Sequence, residues 1–157
     1  MTRTSHLLSA LFMASLAVPA AIAGHTHAPT PSTWTLNVQE SDFGGGPVMK
    51  ADEMHLLTDT DKWLRYTEVS TDDQGKTSKT SWSGPQDGSM RPIGGLPGPK
   101  AGFKTEDDSS HMVMADGTQF DTVLTMSDDK KKATEKVTVK DKSGREFHQT
   151  LIYDRTK

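Results

Sequence analysis

The stretch EKVTVKDKSGREFHQTLIY, residues 135–153, decides the fold. On its first arm Val137 and Val139 alternate with polar residues, the period-two pattern of a strand that turns one face inward. Asp141-Lys142-Ser143-Gly144 then reads as a turn, because aspartate bonds to its own backbone and glycine takes the positive φ that the turn requires. On the second arm Phe147, Gln149, Leu151 and Tyr153 alternate again. The segment is an antiparallel hairpin.

The same pattern extends outward from it. Strands are predicted over 34–38, 49–58, 62–70, 76–83, 103–106, 111–114 and 118–126, with Trp34, Leu36 and Val38 sharing one face of the first. Asp59-Thr60-Asp61, the TDDQG of 71–75 and Asp116-Gly117 supply turns. Residues 84–102 carry Pro85, Pro92, Pro97 and Pro99 among six glycines, so they read as loop with one short edge strand near 90–93. Nine or ten short strands and almost no helical period predict an all-β fold: an antiparallel up-and-down β-barrel of about 8–10 strands, or else a sandwich.

The amino terminus says where the protein works. Arg3 is followed by the apolar run LLSALFMASLAV of 7–18 and by Ala21-Ile22-Ala23, a small-residue cleavage site. A cleaved signal peptide over 1–23 is expected, then a flexible linker over 24–33 and a single barrel domain over 34–157. The run is too short to span a bilayer comfortably, so no integral span is expected after cleavage. The chain has no cysteine, which removes both a lipid attachment site and disulfide staples. Without a twin arginine, export through the general secretory route is favoured.

Charge and composition narrow the function classes. The chain has 18 Lys and Arg against 21 Asp and Glu, and loss of Arg3 with the leader makes it slightly more acidic. Such a chain lacks the basic face that would displace counterions from nucleic acid. Its core must come from a few large side chains, such as Trp34, Trp63, Trp82, Phe103, Phe120, Phe147 and Tyr153.

Several motifs then resemble one family. Trp34-Thr35-Leu36-Asn37, Glu40-Ser41-Asp42-Phe43 with Gly46-Pro47, Asp87-Gly88, and Arg91-Pro92-Ile93-Gly94-Gly95-Leu96-Pro97 are similar to the signatures of small exported bacterial proteins of unassigned function, described as lipocalin-like. Ser127-Asp128-Asp129-Lys130 and the closing Leu151-Ile152-Tyr153-Asp154-Arg155 extend the likeness across the mature chain. Val38 stands where that family commonly has proline, and the loop after Pro97 is shorter. The resemblance implies a lipocalin-like barrel and a periplasmic or secreted bacterial protein. It implies no catalytic residues.

No enzyme is expected. There is no cysteine nucleophile, no Gly-x-Ser-x-Gly elbow and no serine with an evident histidine partner. Asp59-Thr60-Asp61 lacks the glycine and glutamate of a calcium loop, and the glycine-rich loops lack the lysine of a phosphate cradle. Asp72-Asp73, Asp107-Asp108 and Asp128-Asp129 are turn residues. His25 and His27, at the start of the mature chain, offer a copper(II) chelate of amine, amide nitrogen and imidazole, although solvated tail residues are the commoner reading. His55, His111 and His148 fall on separate strands with no ligand spacing, and no cofactor is expected.

A barrel interior offers a different chemistry. Six methionines follow the leader, and flexible thioethers line adaptable apolar cavities. Trp63, Trp82, Met112, Met114 and Phe120 are the candidate ligand-binding residues, with a small apolar molecule as ligand and the loop 84–102 near the mouth. The alternative is a monomeric structural or interaction protein of the cell envelope whose barrel is filled by its own side chains. The inward-facing set separates them: if Trp34, Trp63, Trp82, Met112, Met114, Phe120 and Phe147 pack on one another, no cavity is left.

Overall fold

The computed structural model describes residues 27–104 and 108–157. Ten strands account for most of them: β1 (Ser32–Leu36), β2 (Met49–Asp59), β3 (Trp63–Asp72), β4 (Thr77–Pro85), β5 (Arg91–Pro92), β6 (Lys100–Lys104), β7 (Ser109–Val113), β8 (Gln119–Met126), β9 (Lys132–Lys140) and β10 (Glu146–Arg155). They form one sheet in the order β4-β3-β2-β1-β10-β9-β8-β7-β6-β5, with every neighbouring pair antiparallel. Two meanders are thus joined through the first and last strands, where Leu36 pairs with Tyr153. The all-β, up-and-down barrel expected from the alternation is the observed fold.

The sheet curls until its two ends almost meet. Ser81 on β4 and Gly94, just past β5, exchange backbone hydrogen bonds of 3.1 and 2.8 Å. Across the same seam Trp82 donates from Nε1 to the Ala101 carbonyl at 3.2 Å, and its ring lies 4.4 Å from that of Phe103. Gly95 sits at φ +90°, and a Cβ there would overlap the Lys79 carbonyl oxygen. The glycine pair of 94–95 is what lets this loop lie against β4, so the barrel has few unpaired edge groups left to expose.

Parity sets the interior. On β3 Leu64, Tyr66, Glu68 and Ser70 are buried, and on β9 Ala133, Glu135, Val137 and Val139. Trp34, Trp82, Tyr66, Tyr153, Phe103, Met54, Leu56, Leu64, Leu124 and Leu151 fill much of the space. Trp63 is the exception among the large residues. It falls on the outward parity of β3, is 43% exposed and donates to Ser83 Oγ at 3.2 Å, so it does not face the interior. Val38 also lies outside, because β1 ends at Leu36 and the next residues swing out over β10 before Asp42 pairs with Thr150.

The segment before β1 is held against the end of the barrel formed by the β2–β3 turn. His27 bonds through Nε2 to Asp61 at 2.5 Å, the Ala28 amide donates to Asp59 Oδ2 at 3.0 Å, and Ala28 is buried. Within the span expected to be a linker, residues 27–29 therefore lie against the barrel, Thr30 and Pro31 are exposed, and Ser32 and Thr33 belong to β1. The predicted signal peptide over 1–23 and His25 lie outside the described residues. Among the described residues no helix is long and apolar enough to cross a membrane.

Candidate functional site

Strand pairing arranges the inward side chains of β7 to β10 in rungs. The first, at the end of the barrel opposite His27, is Met112, Phe120, Val139 and Phe147. The second is Ser110, Thr122, Val137 and Gln149, and the third is Leu124, Glu135 and Leu151. A cavity of about 490 Å³ opens at the first rung. Val139 and Phe147 line it from the wall, Thr118 and Asp116 from the β7–β8 turn, Gly45 to Pro47 from the β1–β2 loop, and Asp141, Lys142, Ser143 and Arg145 from the β9–β10 turn. This is the mouth of the barrel.

Each wall of the mouth is fixed locally. Asp141 accepts from the amides of Ser143 and Arg145 at 2.9 Å each and from Ser143 Oγ at 2.6 Å; these bonds, that from the Ser143 hydroxyl foremost, hold its carboxyl down at about 2. Gly144 takes φ +85°, as the turn requires. Arg145 lies over Phe147, 4.9 Å from guanidinium carbon to ring centre, so the aromatic floor carries a cation above it. Gln149 donates from Nε2 to the carbonyls of Phe43 and Pro47 at 3.0 Å each and pins the β1–β2 loop. Gly44, at φ +55°, sits so close to β10 that a Cβ would overlap the His148 carbonyl oxygen.

Met112 and Phe120 share the rung of the two wall residues, and Met114 is buried just beyond it. Trp82 lies across the barrel at the seam, and Trp63 is outside. Phe147 and Val139 do not stand among the sequence-predicted binding residues, although Phe147 alternates with Gln149 and Leu151 and was legible as inward-facing. His55, His111 and His148 point outward on three strands and pair with Glu53 at 2.9 Å, Asp121 at 2.6 Å and Glu146 at 3.3 Å.

Below the mouth the interior holds three carboxyl groups that the sequence reading passed over. Asp52 on β2 accepts from the Tyr153 hydroxyl at 2.8 Å, and Glu68 on β3 accepts from Thr80 at 3.3 Å. The Asp52 and Glu68 carboxyls are also within hydrogen-bonding reach of each other. Burial raises all three acids, Asp52 to about 7 and Glu68 and Glu135 well above the carboxylate range. Glu135 is fully buried between Leu124 and Leu151, and neither of its oxygens has a hydrogen-bond partner among the described residues. A buried carboxyl in that state costs about 1–3 kcal/mol relative to an apolar side chain of similar shape.

No protein-family model and no curated protein matches the chain. The functional reading therefore rests on the barrel and on its mouth.

Proposed function

We infer that this chain is an exported, lipocalin-like binding protein that takes a small molecule at the mouth of its barrel. The observation that carries this reading is the 490 Å³ cavity at the first rung, whose size falls within the range of small-molecule sites. Its lining has the make-up such sites share, an apolar floor of Val139 and Phe147 beneath a few fixed polar groups on turns. The lower barrel is filled by its own aromatic and aliphatic side chains, so the ligand enters from the mouth end. An exported, non-enzymatic role accords with the leader and with a sequence that carries no cysteine and no Gly-x-Ser-x-Gly elbow.

The neutral fluorophore N-phenyl-1-naphthylamine tests it. Saturable one-to-one binding is expected, weakened roughly tenfold or more by Phe147→Asp, because the charged side chain removes the floor and leaves a carboxylate to be desolvated. Phe147 is only half-buried, so the variant should keep its β-sheet circular dichroism. Absence of binding to the wild type, or binding that Phe147→Asp leaves unchanged, favours the second reading, a filled barrel that acts through its outer face. The outward, 43% exposed Trp63 is the feature that speaks for that alternative.

A further inference from the structure

We propose that the mouth selects a molecule that carries one anionic oxygen group, a carboxylate or sulfonate, on an apolar body, and that Arg145 receives this group. The proposal rests on the binding reading above and specifies the ligand class for it.

Arg145 is held from two sides. Its guanidinium lies over the Phe147 ring, and its Nε donates to Asp141 Oδ2 at 3.2 Å. Asp141 is a fixed anchor, because its other oxygen accepts from the Ser143 and Arg145 amides and from the Ser143 hydroxyl. A long, solvent-exposed side chain is thereby kept in one place before any ligand arrives, which lowers the entropy that binding must give up. Neither Nη amino group has a partner among the described residues. The end of the guanidinium that takes two oxygens of one anion side by side is therefore open, on a residue that lines the cavity.

The other charges of the mouth agree with this assignment. Lys142, in the same turn, lines the cavity without a carboxylate partner among the described residues and adds a second positive charge. Of the two acids that line the cavity, Asp141 is engaged by its own turn and by Arg145, and Asp116 accepts from the Thr118 amide at 3.0 Å. Asp116 also stands on the β7–β8 turn, two strand spacings or about 10 Å from the β9–β10 turn, so it does not crowd an anion at Arg145. Val139 and Phe147 form the apolar floor beneath the guanidinium. A ligand of this class lays its body on that floor and leaves its charge at the rim, in reach of water, so the cost of desolvating a buried anion does not arise.

Two dyes that share one ring skeleton test this by fluorescence titration: N-phenyl-1-naphthylamine and 8-anilinonaphthalene-1-sulfonate, which differ by the sulfonate alone. Arg145→Gln is expected to weaken the sulfonate dye roughly fivefold or more and to leave the neutral dye within about twofold. Arg145 is exposed and the Ser143 bonds to Asp141 remain, so the variant should keep its β-sheet circular dichroism. Lys104→Gln, which removes a positive charge from the outer face of β6, is the comparison and should change neither dye. If the sulfonate dye does not bind the wild type, if Arg145→Gln weakens both dyes equally or neither, or if Lys104→Gln weakens the sulfonate dye as much, anion recognition by Arg145 is wrong while the barrel remains a binder. If N-phenyl-1-naphthylamine does not bind the wild type, the binding reading falls first and takes this one with it.

Discussion

Between pH 5 and pH 9 the unfolding midpoint of this protein falls. Asp52 titrates near 7 in the folded barrel because burial disfavours its charge, while in the unfolded chain it titrates near the ordinary 3.8. A proton is thus held more tightly by the folded state. The stability this contributes is complete below about pH 4 and is lost as pH rises through 7. Glu68 and Glu135, which burial also raises well above the carboxylate range, act in the same direction. Asp52 alone accounts for on the order of 3 kcal/mol between pH 5 and pH 7. Asp141 works in the opposite sense, since its carboxyl is lowered and stabilises the fold only above about pH 4, but it is exposed at a turn and outside the window measured. Thermal unfolding followed by circular dichroism at pH 5, 7 and 9 checks the sign. A flat profile, or a midpoint that rises with pH, would mean that the interior acids ionise freely.

The second large effect is at the seam. Trp82→Ala is expected to cost about 3–5 kcal/mol, the range for truncating a fully packed aromatic residue. Here the loss has a further consequence, because the indole joins β4 to β6 through its hydrogen bond to Ala101 and its contact with Phe103. The backbone exchange between Ser81 and Gly94 lies beside it and loses its support. Chemical denaturation should show the drop in stability, and amide hydrogen exchange should show Ser81 and Gly94 losing protection ahead of β9 and β10. Phe147→Ala at the half-buried mouth serves as the comparison and costs far less, because its ring leaves no enclosed void.

These two sites also show how far sequence reaches in this molecule. The hairpin of β9 and β10 was legible because alternation, turn chemistry and a glycine at positive φ agree over consecutive residues. Trp63 was assigned inward on size alone, yet Leu64 and Tyr66 require the other parity, and a one-residue shift turns a strand face over. Asp52 was hidden for a different reason. An irregularity in the pairing of β2 between Met49 and Ala51 places Met49 and Asp52 on the same side three residues apart, which strict alternation from Met49 cannot reveal. Glu135 needed no such device, since it alternates with Val137 and Val139. Alternation marks this strand only from Glu135 onward, and only the folded chain shows it running back through Ala133 to Lys132. Closure at Gly94 and Gly95 depends on a contact with β4 more than ten residues away in sequence, and only the folded barrel displays it.

An unpartnered acid in the core, a pinned loop over an open mouth and a sealed lower half form one arrangement. The lower half stabilises, and the upper half gives up stability to keep polar groups and space available. The measurement that tests this most directly is native mass spectrometry of the mature protein purified gently from its own source. The account predicts a reproducible extra mass of a few hundred daltons, the scale of a molecule that fits such a cavity, released on denaturation. A bare polypeptide mass that stays unchanged after incubation with apolar anions, alcohols and lipids would contradict it.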